Sequence, residues 1–479
     1  MIKYHISDSG LVVQCKAQLG RCPKENFDSI EAAEKFKEEK FSKTIPALSK
    51  NHDTVLKSAE NYYGGEFLTL HNIRLSEGVE SVLSILDKIG NPLIVGGAVR
   101  DSLIGAENKD IDIEVHKTDV DKLANHLKNK GFTVDEVGKQ FGVLKVSKKG
   151  VVSDLDISVP RKENRLGAGH RSFEISMDEN MTVSEAAERR DFAFNAIMYD
   201  HKRQLLVDPA NGKKDFENKV MRHVSEKFAE DPLRVLRGFQ FAGRFDMTMA
   251  PETVELSKKL RPEYEHLSVE RVQEEWGKFF TKSTNPNKGL QVLQQTGWDD
   301  TTPGLKEALK KSFDEKDLDS LPEQDKDKRT IYGSAAIARH MSQKDKKEFL
   351  KTSIIGAKEQ KQAEILSSFD KSQAASSYSR KAKAKELQKY GFTFNDYGKF
   401  SKMVNDREGI KIAELAQKDG IAYKPEADLI MGKDILEKSN KKPGPWMGEL
   451  LNEIRDKQYK NEFNNKQEAL DYALKRIEN

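Results

Sequence analysis

The apolar positions in the first half of the chain follow two different spacings. Around residue 80 they recur at helical intervals, at Val79, Val82, Leu83, Leu86 and Ile89. Residues 93–95 then form a short apolar run. Apolar and polar residues alternate strictly at 111–115 and again at 155–159, and a helical stretch at 120–127 lies between them. This mixture of periods predicts an α/β unit with a mixed sheet.

The second half of the chain carries a different pattern. Beyond Asp208 the signals of strands fade, and from Asp231 to the end the periodicity predicts one helix after another, separated by polar loops. The expected fold class is therefore α+β, with an α/β domain at residues 76–205 followed by a mainly helical region. Residues 1–75 contain a β-like segment and a charge-rich helical stretch, and we expect them to form an appended module.

Length and charge limit the classes of function open to the chain. With 479 residues it is too long for one ordinary domain, so about three to five structural units are expected. The 78 acidic residues nearly balance the 81 basic residues, so the attraction of the whole chain for nucleic acid is weak. Any charge that binds RNA must be local, and a cluster of lysines at Lys381, Lys383 and Lys385 is a candidate.

The cysteines and the hydrophobicity profile indicate the cellular compartment in which the protein is expected. Cys15 and Cys22 have no partner at zinc spacing, which argues against a metal knuckle and against a disulfide framework and favours a reducing compartment. No apolar run approaches the roughly 20 residues of a membrane span, and the first residues do not form a signal sequence. The protein is therefore expected to be cytoplasmic, without a membrane partner.

A pair of glycines opens the first candidate site. Gly96 and Gly97 stand between an apolar strand and a helix, where glycine lets the backbone turn tightly and approach a ligand closely. The amides at the start of that helix would hold a triphosphate, with Arg100 as a charged clamp. Taken alone, such a pair is more often an ordinary turn between a strand and a helix.

Two aspartates follow soon after this turn. Asp110 and Asp112 fall on one face of a predicted strand, because side chains alternate between the faces. Paired carboxylates bridge divalent ions, which orient the phosphates of a nucleotide and lower the pKa of an attacking hydroxyl, as nucleotidyl transfer requires. Asp156, on a later strand, would add a third carboxylate. An isolated pair would favour the solvent side of a half-exposed strand, but the preceding glycine turn favours the metal site.

A third motif combines arginine, aspartate and asparagine. Arg190 and Asp191 precede Asn195 on a predicted helix. Asp191 would accept a hydrogen bond from a ribose hydroxyl, and Arg190 would contact phosphate or base. The alternative at this position is a surface helix that carries an ion pair.

The fourth motif joins Asp231 to Arg234, three residues further along a predicted helix. A fixed acceptor beside fixed donors suits the base edge of cytosine and, in part, that of adenine, whereas uracil and guanine present the opposite order. Asp231 followed by Pro232 is also an ordinary helix start, with the aspartate as N-cap. This structural role holds whichever function applies.

Taken in order, the four motifs resemble those of the class II CCA-adding enzymes and bacterial poly(A) polymerases. The segments read VGGAVRD, KDIDIEV, RRDFAFNAI and EDPLRVLRGFQFAGRF. The likeness runs over about residues 92–298 and reappears at Leu429–Asp434 and Pro443–Leu450, which are similar to the tail of bacterial CCA enzymes. Residues 300–425 match the family poorly.

The resemblance implies an order of domains along the chain. It places a nucleotidyltransferase head at 76–205, a neck with base-reading helices at 206–300, a helical body at 301–384 and a helical tail that binds tRNA at 385–479. The cluster of Lys381, Lys383 and Lys385 would contribute to RNA binding. The appended module at 1–75 has no implied role.

The resemblance also implies roles for individual residues. Asp110 and Asp112 would be catalytic and would hold Mg²⁺. Nucleotide binding is implied for Gly96, Gly97, Arg100, Arg190, Asp191, Asn195, Asp231, Arg234 and Arg237. Family members usually carry an arginine where this chain has Gln240, which implies a weaker affinity for phosphate there.

The expected function is addition or repair of the 3′ CCA end of tRNA from CTP and ATP, with the tRNA hydroxyl attacking the α-phosphate. The alternatives are poly(A) or A-only addition, a relative that modifies tRNA to inactivate it, and a non-catalytic RNA-binding relative, against which the intact carboxylates argue. Some relatives carry a second, phosphohydrolase site. None is expected here, because only His266 and His340 lie beyond residue 223 and the one His-Asp dipeptide lies at residues 52–53.

Overall fold

The chain forms two compact units. The computed structural model describes residues 73–106, 110–165, 173–322, 326–463 and 465–478, together with short pieces of the first 71 residues. The first unit comprises residues 1–238 and 246–267, and the second comprises residues 239–245 and 268–479. The helical stretch predicted within residues 29–40 and the two cysteines lie outside the described residues.

The first unit contains one large mixed sheet. Three short strands come first, β1 (Tyr4–Ile6), β2 (Val12–Gln14) and β3 (Asn26–Phe27), with β1 between the other two. The strands that follow are β4 (Leu68–Leu70), β5 (Asn91–Val95), β6 (Asp112–His116), β7 (Thr133–Asp135), β8 (Val143–Lys148), β9 (Val152–Ser158), β10 (Arg161–Arg165), β11 (Phe173–Met177), β12 (Met198–Asp200) and β13 (Leu205–Val207). Strands β10 and β11 form a separate hairpin. The other eight form the sheet in the order β4-β13-β12-β5-β6-β9-β8-β7, in which only β6 and β9 are parallel.

The helices of the first unit cover this sheet. They are α1 (Glu77–Leu86), α2 (Gly97–Leu103), α3 (Val120–Asn129), α4 (Val183–Glu188) and α5 (Gly212–Glu217). A long helix α6 (Leu233–Phe245) follows, of which residues 239–245 belong to the second unit. Helix α7 (Pro251–Lys259) belongs to the first unit, and the short strands β14 (Val220–Met221) and β15 (Thr248–Met249) pair in parallel. The mixed sheet and the helices predicted near residues 80, 100 and 123 are confirmed.

The alternating pattern of β6 decides which side chains face the core. Ile113 and Val115 are fully buried in a cluster with Val82 of α1 and Leu123 of α3. Because side chains on a strand alternate between its faces, Asp112, Glu114 and His116 all lie on the opposite face. The apolar residues of β6 therefore fix the direction in which its polar residues point.

One helix predicted from the sequence is absent. The chain leaves α4 at Glu188, so Arg189 to Asp191 lie in a turn, and only a short 3₁₀ turn follows at Ala193–Asn195. The reason is tertiary pairing. The Ala193 amide donates to the carbonyl of Arg222, and Phe192 bridges to His223. These contacts use backbone groups that a continuous helix would need for itself.

The second unit is helical throughout its described part. Its helices are α8 (Val269–Lys282), α9 (Pro286–Thr296), α10 (Leu305–Asp314), α11 (Lys326–Ala338), α12 (Gln343–Ser353), α13 (Ala357–Ser367), α14 (Ser377–Lys389), α15 (Phe394–Met403), α16 (Arg407–Lys418), α17 (Gly432–Leu436), α18 (Pro445–Tyr459) and α19 (Lys466–Glu478). Aromatic rings fill its first core, where Trp276 packs against Phe239 and Phe349. A separate apolar cluster that includes Ile435, Leu450 and Ala469 joins the last three helices. Across the described ranges, no helix combines the length and the apolar character needed to cross a membrane.

Candidate active site

The glycine turn lies directly against a predicted metal ligand. Strand β5 ends at Val95, and Gly96 adopts φ +73° and ψ −134°, a conformation that L side chains rarely adopt. A Cβ atom on Gly96 would stand 3.5 Å from Oδ2 of Asp112. Helix α2 then begins at Gly97. The first two predicted motifs therefore meet at the end of β5.

Carboxylates from two neighbouring strands meet at this point. Asp112 is the first residue of β6, and it pairs in register with Asp156 of the parallel strand β9. Register partners on neighbouring strands present their side chains on the same face. Asp110 precedes the strand and is exposed. The structure thus brings Asp112 and Asp156 together, as the sequence predicted.

The surroundings of these carboxylates fit a cation. Desolvation by the surrounding protein raises the pKa of Asp112, and repulsion from Asp156 and Asp110 adds to the rise, whereas Arg190 opposes it. Oδ1 of Asp156 is buried and has no hydrogen-bond partner within the described structure. A buried carboxylate oxygen without a donor and a cluster of like charges are both relieved by a divalent metal ion.

Arg100 is the centre of a buried hydrogen-bond network. Its Nε donates to Oδ1 of Asp101 at 2.7 Å, and its Nη1 donates to Oδ1 of Asn195 at 2.8 Å. The residue is only 5% exposed. Nδ2 of Asn195 in turn donates to Oδ1 of Asp191 at 3.1 Å. Arg100 therefore anchors Asn195, and its direct contact with a phosphate stays a prediction.

Asp191 is buried and is held in its charged form. Its Oδ2 accepts a hydrogen bond from Nε of Arg237 at 2.7 Å, and its Oδ1 also accepts one from the Phe192 amide at 2.8 Å. Burial alone would raise the pKa of Asp191, but the Arg237 guanidinium and these hydrogen bonds hold it below its usual range. Asp191 is therefore a fixed acceptor inside the protein.

The base-reading pair predicted on α6 has a defined local geometry. Oδ1 of Asp231 accepts a hydrogen bond from the Leu233 amide at 3.2 Å, so the predicted capping contact is present, and α6 begins at Leu233. The two Nη atoms of Arg234 each donate at 2.6 Å to a main-chain carbonyl, one of Lys227 and one of Arg189. Main-chain bonds thus fix the guanidinium of Arg234, and base reading stays a prediction.

Sequence reasoning missed a buried glutamate in this site. Glu114 is fully buried, and its carboxylate contacts Arg189, Arg190 at 3.4 Å and Nε2 of His116 at 3.1 Å. Burial alone would raise the pKa of Glu114, but His116 and the two arginines hold it well below its usual range. The alternation that placed Asp112 on the polar face of β6 also placed Glu114 and His116 there, so the signal was present.

The predicted RNA-binding lysines belong to the second unit and are ion-paired. All three lie on α14. Their ammonium groups contact nearby carboxylates as the pairs Lys381–Glu426 at 2.9 Å, Lys383–Glu386 at 2.9 Å and Lys385–Asp428 at 2.6 Å. The local positive charge that the sequence indicated is therefore largely balanced, and a role in RNA binding stays a prediction.

A further group of potential metal ligands lies in the second unit. Within the described residues, Glu315, Asp317 and His340 bring their donor atoms within 4.8 Å of one another. His340 contacts Oδ2 of Asp317 at 2.8 Å, and the Arg339 guanidinium contacts both carboxylates. Because Arg339 already balances the negative charge, the group is accounted for as a partly buried ion-pair network.

Three protein-family models match consecutive parts of the chain. Residues 93–222 match the poly(A) polymerase head domain, and residues 246–309 match an RNA- and SrmB-binding site of polymerase A. Residues 334–473 match tRNA nucleotidyltransferase domain 2. This last range includes most of residues 300–425, which the motifs alone did not relate to the family. The domain boundaries predicted from the sequence stay predictions.

Similar curated proteins are named multifunctional CCA proteins. The one from Aliivibrio salmonicida is 39% identical over 209 residues, which is 43% of this chain and 48% of that protein. The one from Psychromonas ingrahamii is 38% identical over 209 residues, with the same coverage. The chain thus spans about half the length of the curated relatives it matches.

Solved structures of CCA-adding enzymes have the same fold. The Bacillus stearothermophilus enzyme in complex with CTP has a TM-score of 0.61 and 21% identity, and the match covers 84% of this chain and 98% of that one. The Thermotoga maritima enzyme in complex with tRNA has a TM-score of 0.57 and 19% identity, with 86% and 100% covered. The family models thus match successive segments of the chain, and the solved structures share its fold.

Proposed function

We propose that this protein is a tRNA nucleotidyltransferase that adds or repairs the 3′ CCA end of tRNA from CTP and ATP. The observation that carries the proposal is the meeting of Asp112, Asp156 and the Gly96 turn in one site. A glycine turn allows close approach of a nucleotide, and adjacent carboxylates suit the metal that nucleotidyl transfer needs. A tRNA substrate, and two cysteines that lack metal-ligand spacing in the sequence, support a cytoplasmic location for this activity.

Metal binding is assigned to the carboxylates at the start of β6. The match of residues 93–222 to the poly(A) polymerase head domain supports the use of a divalent metal. We assign Mg²⁺ to Asp110 and Asp112, with Asp156 as a third carboxylate. When bound there, Mg²⁺ would orient the triphosphate and make the 3′ hydroxyl of the tRNA more acidic. The partnerless Oδ1 of Asp156 supports this assignment.

Nucleotide binding is assigned to the residues around these carboxylates. Gly96 and Gly97 would let the backbone approach the triphosphate, and Arg190 would contact its phosphates. Asp191, kept ionised by Arg237, would accept a hydrogen bond from the ribose.

Base selection is assigned to Asp231 and Arg234, which together offer one acceptor and several donors. The edge of cytosine satisfies this set and adenine does so in part, whereas uracil and guanine would leave polar groups unpaired. The two main-chain bonds that hold Arg234 support the assignment, because a fixed donor discriminates better than a mobile one.

The test supplies the protein with tRNA that lacks its CCA end and with one nucleotide at a time, and then sequences the product. We expect incorporation of C from CTP, completion of the end when ATP is added, and a stop after three nucleotides. Long A tracts on an unstructured RNA, made from ATP alone, would replace this proposal with poly(A) synthesis. Extension of tRNA that already carries an intact CCA end would instead indicate an enzyme that inactivates tRNA.

A further inference from the structure

We propose that Glu114 is a positioning residue that orients Arg189 and the nucleotide-binding Arg190 of this enzyme. The inference rests on the proposed function. Glu114 lies on β6 two residues beyond Asp112 and on the same face of the strand. It does not touch the proposed substrates itself, because it is fully buried. Its effect is therefore exerted through the residues that surround it.

Two adjacent arginines, Arg189 and Arg190, contact the carboxylate of Glu114. Oε2 of Glu114 contacts the Nη2 atoms of both Arg189 and Arg190, the second at 3.4 Å. The arginines are neighbours in the chain and carry like charges, so they repel each other unless an anion lies between them. A single buried carboxylate thus sets the separation and the direction of both guanidinium groups.

The other oxygen of Glu114 is held as well. Oε1 lies 3.1 Å from Nε2 of His116, and Nδ1 of His116 lies 3.3 Å from the carbonyl of Met181. His116 is itself 3% exposed. Contacts on both oxygens leave the carboxylate little freedom to rotate. Glu114 is therefore a rigid reference point on the strand that carries Asp112.

The network extends from Glu114 to the base-reading helix. The side chain of Arg189 contacts Glu114. The main-chain carbonyl of Arg189 accepts a hydrogen bond from Nη2 of Arg234. Lys227 reinforces this link, because its ammonium group pairs with Glu188 at 2.8 Å and its carbonyl accepts from Arg234. The turn at residues 188–190 thus connects the catalytic strand to α6, and Glu114 fixes that turn.

Two consequences follow for the reaction. Arg190 acts electrostatically on Asp112, so an Arg190 released from Glu114 would move towards the metal-binding carboxylates and compete with the metal. A displaced Arg189 carbonyl would also free Arg234 from one of its two main-chain acceptors. Both nucleotide affinity and base selection are therefore expected to depend on Glu114.

The variant that tests this is Glu114→Gln, which keeps the size of the side chain and removes its charge. Loss of the charged acceptor should raise the KM for CTP and ATP about tenfold, with a smaller effect on kcat. Discrimination against UTP and GTP should fall by a similar factor. If Glu114 had a merely structural role, Glu114→Gln would lower the melting temperature and the amount of active enzyme. The KM for CTP and ATP and the discrimination against UTP and GTP would then stay unchanged.

Asp200→Asn is the matched control. Asp200 lies on β12 of the same sheet and is 1% exposed, and it accepts from Nη1 of Arg203 at 2.6 Å and from the hydroxyl of Tyr63 at 2.7 Å. Asp200→Asn removes the charge of a carboxylate that is as buried as that of Glu114, and the arginine it pairs with, Arg203, lies outside the site. We expect a lower melting temperature with unchanged KM and unchanged selectivity.

A second variant separates positioning from charge balance. Glu114→Gln combined with Arg189→Gln removes one negative and one positive charge, so the melting temperature should recover while the KM and the selectivity stay impaired. This variant also carries the test if the single variant fails to fold.

If the wild type builds CCA ends and Glu114→Gln keeps its KM and selectivity within about twofold, the positioning role is wrong and the proposed function stands. A wild type that binds neither CTP nor ATP in calorimetry would overturn both.

Discussion

Clustered cations occur in both units of the protein, and the two clusters are built differently. In the first unit, Arg189 and Arg190 surround the fully buried Glu114. In the second, Lys385 pairs with Asp428 where both side chains are 29% exposed. Exposed pairs contribute about 0–1 kcal/mol to stability, whereas removing one partner of a buried pair costs about 3–5 kcal/mol.

This difference suits two different ways of binding an anion. A lysine in an exposed pair can exchange its carboxylate for a phosphate at little cost, and the exchange is sensitive to salt. An arginine paired with a fully buried carboxylate cannot change partners easily, so it presents a fixed geometry before the ligand arrives. The first unit is thus organised to position a small ligand accurately, and Lys385 of α14 is placed to exchange partners.

The largest effect is expected at the two carboxylates that are predicted to hold the metal. Replacing Asp110 or Asp112 by alanine should remove nucleotide incorporation, because metal assistance supplies several kcal/mol of transition-state stabilisation, roughly a thousandfold or more in rate. Incorporation of labelled CTP into tRNA measures the loss. Circular dichroism should be unchanged, since these carboxylates repel each other without the metal and contribute little to the core.

Asp121→Ala provides the control for this experiment. Asp121 is an exposed aspartate of the same unit, and its ion pair with Lys139 lies at the surface. Its loss should leave incorporation unchanged. Full activity in a double variant of Asp110 and Asp112 would show that the metal site lies elsewhere.

An intermediate effect is expected at Arg234, which two main-chain carbonyls hold in place. Arg234→Ala should reduce the preference for CTP and ATP over UTP and GTP by about 10- to 100-fold, because the base edge loses a hydrogen-bond partner worth about 1–3 kcal/mol. Competition between nucleotides, read by sequencing the products, measures this. Asp231→Ala should act similarly and also lose about 1 kcal/mol of stability as a helix cap. An unchanged preference in either folded variant would leave these residues only structural roles.

The parts of the fold that the sequence predicted are those with local causes. The alternation at β6 depends only on the period of a strand, so the face that carries Asp112 could be assigned without a structure. The glycine at 96 marked a turn because few other residues adopt such a backbone. The capping contact of Asp231 likewise depends on its immediate neighbours.

The parts that the sequence did not predict depend on distant partners. Residues 189–191 have helical composition, but pairing of residues 192–193 with 222–223 ends the helix before them. The acidic partner of Lys385 lies 43 positions further along the chain, so a count of local charge could not reveal it. Glu114 carried the right periodicity, but its importance depends on Arg189, 75 positions away.

The smallest effect is expected at the partly exposed ion pair of Lys385 with Asp428. If Lys385 exchanges Asp428 for a tRNA phosphate, Lys385→Ala should change the free energy of unfolding by less than about 1 kcal/mol. It should also lower the salt dependence of tRNA binding by about one counterion. Asp428→Asn should strengthen tRNA binding, because it frees both Lys385 and Arg455, which share this carboxylate. Lys347→Ala, at another exposed pair, is the control. If Lys385→Ala keeps the salt dependence of the wild type and Asp428→Asn keeps its affinity for tRNA, the charge that binds tRNA does not come from Lys385, and the exchange argued for this pair is wrong.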